Sequence, residues 1–129
     1  MKRGFIIIAL FVLLIGCCIA EEVVLQTNLE KLHKKSVELK NLISQNEDVN
    51  TDEIKNLVVN LETFWNKTEN FFCIVVNHIN MEEAGEQVSK IKTYCEQNKK
   101  EELLVELDLL IYYSESYQHI LIPNIQNIL

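Results

Sequence analysis

Beyond residue 20 the chain has one glycine, Gly85, and one proline, Pro123, in 109 residues. Tight hairpins and phosphate-cradling loops are built from those two residue types, so neither fits here. Long helices with short connections are what remains. A body of this size is one domain with a core large enough to fold without disulfide staples.

The first 20 residues have a different character. Lys2 and Arg3 precede FIIIALFVLLIGCCIA, residues 5–20, which carries no charge. A basic start and a short apolar run is the shape of a secretory signal or a membrane anchor. A spanning helix needs roughly 20 apolar residues, and sixteen extend only about 24 Å. Val23 to Leu25 would lengthen the run only by drawing Glu21 and Glu22 toward the interface. Leu14-Ile15-Gly16-Cys17 resembles the lipobox of bacterial lipoproteins, which implies a lipid on the Cys17 thiol and cleavage before it. Cys18-Ile19-Ala20 also resembles an ordinary signal peptidase site. Three outcomes stay open: lipidation at Cys17, an uncleaved anchor, and secretion. In each, Lys2 and Arg3 stay on the cytoplasmic side and the body lies outside.

All 19 acidic residues fall in residues 21–129, against ten lysines, so the body carries a net charge of −9. Nucleic acid and anionic headgroups both call for a basic face, so the charge argues against both as partners.

The apolar residues of the body recur at three- and four-residue steps. Leu25, Leu29, Leu32, Leu39 and Ile43, with Ser36 in register, predict a helix over 23–45. Ile54, Leu57, Val58, Leu61, Phe64, Trp65, Phe72 and Val75-Val76 predict a second. FFCIVV, 71–76, has β propensity but no partner strand, and is read as helix. A third carries Ala84, Val88, Ile91 and Cys95 after a break at Asn77-His78-Ile79. The fourth has two apolar faces: Leu103, Leu104, Leu107, Leu110 and Ile111 on one, Val105, Leu109, Tyr112 and Tyr113 on the other. Asn50/Glu53, Asn80/Glu83 and Asn98/Glu101 have capping-box spacing and are taken as the starts of helices two to four. Pro123 opens a last apolar turn with Ile125, Ile128 and Leu129.

The segment from LETFWNKTENFFCIVVNHIN through KIKTYCEQNKKEELLVELDLLIYY to the terminal Asn127-Ile128-Leu129 resembles the bacterial domain-of-unknown-function family numbered 4363. Trp65 in the second helix and His78 at its end carry the likeness. The chain departs from the family where Ile79 stands in place of an acidic residue. The resemblance implies a small membrane-attached helical protein and carries over no activity.

Few residues suggest chemistry. His78 and Glu82, four apart, are the candidate metal ligands, but two ligands do not make a site, and His78 also suits a helix C-terminus. His33 and His119 have no ligand spacing. Trp65 belongs to the core stripe. A hairpin turning near residue 79 would place Cys73 about 9 Å and Cys95 about 24 Å from the turn, too far apart for a bridge, so both are expected as separate buried thiols. Asn66-Lys67-Thr68 matches a glycosylation sequon by chance.

The expected fold is all-α: an antiparallel up-and-down four-helix bundle over 21–129, preceded by a signal or anchor over 1–20. No cofactor and no catalytic residues are expected. The expected function is a non-catalytic interaction or accessory module on the extracytoplasmic face of the cell membrane. It would dock through Leu109, Tyr112 and Tyr113 onto an integral membrane protein or its own copies. A ligand- or metal-sensing bundle is the alternative.

Overall fold

The computed structural model describes the backbone of residues 1–75 and 78–121, and the side chains of 1–72 and 81–116. The order is α1 (Lys2–Ser44), α2 (Asp52–Val75), α3 (His78–Glu96) and α4 (Lys100–Leu121), with no strand among the described residues. Each helix packs on its neighbour in sequence, and α4 closes the ring against α1. The directions alternate. Lys40 on α1 meets Asp108 on α4 at 2.6 Å, while His33, two turns back on α1, meets Ser114, further along α4, at 3.2 Å. This is the expected up-and-down bundle.

The core is the set of stripes read from the sequence. Leu25, Leu29, Leu32, Leu39 and Ile43 are buried along α1, and Ser36 among them donates its hydroxyl to the Leu32 carbonyl at 2.7 Å. That bond satisfies a polar group that would otherwise cost free energy in an apolar interior. Ile54, Val58, Leu61, Trp65 and Phe72 come from α2, Ala84, Val88, Ile91 and Cys95 from α3, and Leu103, Leu107 and Leu110 from α4. Trp65 stacks on Phe72 with ring centroids 5.8 Å apart.

α1 corrects one expectation. The apolar run and the first bundle helix are a single uninterrupted helix of 43 residues. Neither Gly16 nor the Ala20-Glu21 boundary breaks it, because Glu, Gln and Leu beyond the boundary are good helix formers.

The capping expectations are corrected as well. α2 is capped by Thr51, whose hydroxyl accepts from Ile54 N–H at 3.4 Å. Asn50 is held outside the helix, its own N–H given to Asp48 Oδ1 at 3.0 Å. α3 starts at His78, so Asn80 lies inside it rather than before it. Asn98 ends α3 instead of starting α4. Its φ is 54°, the left-handed conformation that asparagine tolerates better than most residues. Asn98 N–H returns to the Cys95 carbonyl at 3.2 Å and Lys99 N–H to the Tyr94 carbonyl at 2.9 Å. These two bonds satisfy carbonyls that the helix end leaves open.

The same residue closes the far end of the bundle. Asn98 Oδ1 accepts from Val49 N–H at 2.9 Å, and Cys95 Sγ donates to the Val49 carbonyl at 3.4 Å. The α1–α2 loop is thus clamped by both backbone groups of one fully buried residue, Val49. Asn46 adds its side-chain amide to the Leu42 carbonyl at 2.7 Å, finishing α1.

Candidate functional site

Three surfaces stand apart from the satisfied core. The first is the leading half of α1. Phe5, Leu10, Phe11, Leu13 and Leu14 are each 60–75% exposed, and the most apolar 18-residue window of the helix has none of its area buried. The exposure reaches Val23 and Val24. α1 is long and apolar enough to cross a membrane, a property that a signal sequence shares. Cys17 and Cys18 are free and exposed on it.

The second surface is the outer face of α4. Val105 is 57%, Leu109 38% and Tyr112 63% exposed, with Tyr112 and Tyr113 rings tilted against each other at 6.0 Å. Tyr113 differs from its neighbours, being half-buried against the core. Its hydroxyl is hydrogen-bonded to Glu83 on α3, which holds the phenol above its usual pKa, and burial adds to the shift. The structure therefore keeps Leu109 and Tyr112 together on one exposed face and gives Tyr113 a role between helices.

The third is a groove between α2 and α3 of about 590 Å³. Glu62 and Glu69 from α2 and Glu82 and Glu86 from α3 edge it, and Trp65 and Gly85 meet in it. Lys92 crosses it to both carboxylate oxygens of Glu62, at 3.2 and 3.1 Å. Periodicity alone does not reveal this site. It needs the α2–α3 register that sets Gly85 against Trp65.

Among the described residues, no three His, Cys, Asp or Glu side chains lie close enough to hold a metal ion. The His78 side chain lies outside the described residues, as do the side chains of Cys73 and His119 and the whole tail from Ile122 to Leu129. Cys95 is a free, buried thiol, and burial pushes its pKa up.

Sequence reading missed a histidine–serine contact. His33 Nδ1 lies 3.2 Å from Ser114 Oγ, and Glu115 lies 3.8 Å from His33 Nε2. Ser114 gives its one proton to the Ile111 carbonyl at 2.8 Å, so it accepts from His33 rather than being deprotonated by it. With Ser114 fully buried, the trio is a tie between α1 and α4 and not an activated nucleophile. No signal in the sequence pairs residues 81 positions apart.

A four-helix bundle drawn out at its N-terminus into an exposed apolar helix is the class that this geometry defines. The chain belongs to the family described as Domain of unknown function (DUF4363), whose profile matches residues 20–128. The match takes in the whole bundle and leaves residues 1–19 outside it. No curated protein and no solved structure matches the chain.

Proposed function

We propose that this protein is a non-catalytic accessory module, held at the extracytoplasmic face of the cell membrane by the first half of α1. The observation that carries the reading is the exposed apolar surface from Phe5 to Ala20, with Val23 and Val24 beyond it, on a helix that already enters the bundle core at Leu25. Water is a poor solvent for so much contiguous apolar area. From Gly4 to Ala20 the uncharged helix rises about 24 Å, at the short end of what spans a hydrocarbon core. Lys2 and Arg3 then sit at the cytoplasmic interface and Glu21 and Glu22 at the outer one. Lipid on Cys17 with loss of the preceding residues would hold the same body at the same face.

From there the exposed Val105, Leu109 and Tyr112 face of α4 is offered to a neighbouring membrane protein or to a second copy. Isolated membranes washed with alkaline carbonate test the anchor, with protease added to intact cells and mass spectrometry of the N-terminus. The expected result is retention in the pellet and digestion of the body from outside. Mass spectrometry should show either an intact Met1 or acylated Cys17. Release into the wash, or a body protected from external protease, overturns the reading.

A further inference from the structure

The α2–α3 groove holds an opposition of charge and donor that the anchor and the α4 face leave unused. Its rim is acidic. Lys92, the one lysine lining it, is bound to Glu62, while Glu69 is exposed and forms no ion pair among the described residues. The groove also touches an unpaired donor on an otherwise buried side chain. Trp65 is only 3% exposed, but its Nε1–H, which meets no acceptor among the described residues, opens onto the groove and is not sealed inside the core. An indole nitrogen can only donate, so a ligand at this edge must bring the acceptor. Gly85 is what leaves this edge open. A methyl group at that position would stand 3.4 Å from Trp65 Nε1, its nearest neighbour.

We propose that this groove binds an extended, basic peptide segment. A backbone carbonyl of the peptide accepts the Trp65 Nε1–H, and its lysine or arginine side chains meet the rim carboxylates, Glu69 first. The α3 wall runs from Glu82 to Thr93, about 16 Å, which is room for about five extended residues. A bare metal ion would leave the indole donor unmatched, and the described carboxylates are too dispersed to chelate one. An anionic ligand would be repelled by the rim. A basic peptide supplies acceptor and cation together. This surface lies on α2 and α3, so the proposal stands apart from any docking at Val105, Leu109 and Tyr112.

The chain carries one tryptophan, so intrinsic emission reports on the groove directly. The full chain in neutral detergent is titrated at low salt with a capped five-residue peptide bearing two lysines, and with its counterpart bearing glutamines instead. A saturable change in emission is expected for the lysine peptide, and binding about tenfold weaker for the glutamine one, as two charge-assisted contacts are lost. Gly85→Ala places a methyl group before the indole N–H, and alanine is the better helix former, so the variant folds at least as well. Its expected affinity is about tenfold lower, the loss of one buried hydrogen bond, with an unchanged circular dichroism spectrum. Glu69→Gln should weaken binding about threefold, and added salt should erase that difference. No saturable response at millimolar peptide, an equal response to the glutamine peptide, or undiminished binding by Gly85→Ala would each overturn the proposal.

Discussion

The two halves of α1 are one helix in two environments. From Lys2 to Val24 every side chain except that of Glu22, which is half-buried, is exposed, whatever its polarity. From Leu25 to Ile43 a single stripe is buried and the flanks are charged. Backbone hydrogen bonding is the same throughout, so the difference lies in what the side chains are soluble in. Helix formation is local, and the choice of solvent is made residue by residue along the helix. A chain can therefore pass from an exposed apolar run to a packed protein interior without changing its secondary structure.

The sharpest way to break this comparison is to charge one half and read the other. Leu10→Arg with Leu13→Arg should cost about 2.5–3.5 kcal/mol for each arginine in the hydrocarbon, and so abolish retention in carbonate-washed membranes. The thermal melt of the body should be unchanged. A melt that falls with retention would mean that the halves share one core.

The reciprocal change comes next. Leu29→Ala removes a buried side chain and should destabilise the bundle by about 2–5 kcal/mol in urea, with membrane retention intact.

Smaller effects belong to the far end. Asn98→Ala should cost about 1–3 kcal/mol, since it orphans Val49 N–H and forces alanine into a left-handed conformation. Asn98→Gly keeps the conformation and loses only the bond, so its cost should be the smaller of the two in the same urea titration. Equal costs would show that the backbone conformation contributes nothing.

Cys95 gives a pH signature there. Its raised pKa means that the neutral thiol contributes stability in full below the ordinary cysteine value of about 8.5. That contribution drains away as pH climbs through the raised value. Cys95→Ala should flatten the alkaline limb of a stability-versus-pH curve, and at neutral pH a thiol reagent should label Cys95 only once the bundle unfolds.

The smallest effect on stability is expected on the α4 face. Tyr112→Ser should change the melt by no more than about 0.5 kcal/mol. It should weaken association in sedimentation or cross-linking if that face docks.

Much of the bundle was legible because apolar spacing is a direct record of which side of a helix is dry. Ser36 was read into the α1 stripe from register alone, and it is fully buried. What misled was residue chemistry with two uses. Asparagine serves both as an N-cap and as the left-handed residue that ends a helix, so Asn98-x-x-Glu101 was read as a beginning when it marks an end. Asn50 stood beside Thr51, and only the fold decides which oxygen faces the helix. The α4 face was legible up to Tyr113, whose bond to Glu83 depends on how α3 lies against α4. The Val49 clamp and the α2–α3 groove were not legible at all. Each requires partners tens of residues apart, or a glycine placed opposite an indole, and neither leaves a periodic trace.

The unbroken course of α1 also makes it a lever. Residues 21–44 extend about 36 Å, and a span leaning about 20° carries their far tip about 12 Å sideways. If the first half of α1 spans a bilayer as proposed, no hinge separates lipid from bundle, and the lean of the span dictates the bearing of the body. Thinning or thickening that bilayer would then swing the whole bundle as a compass needle swings.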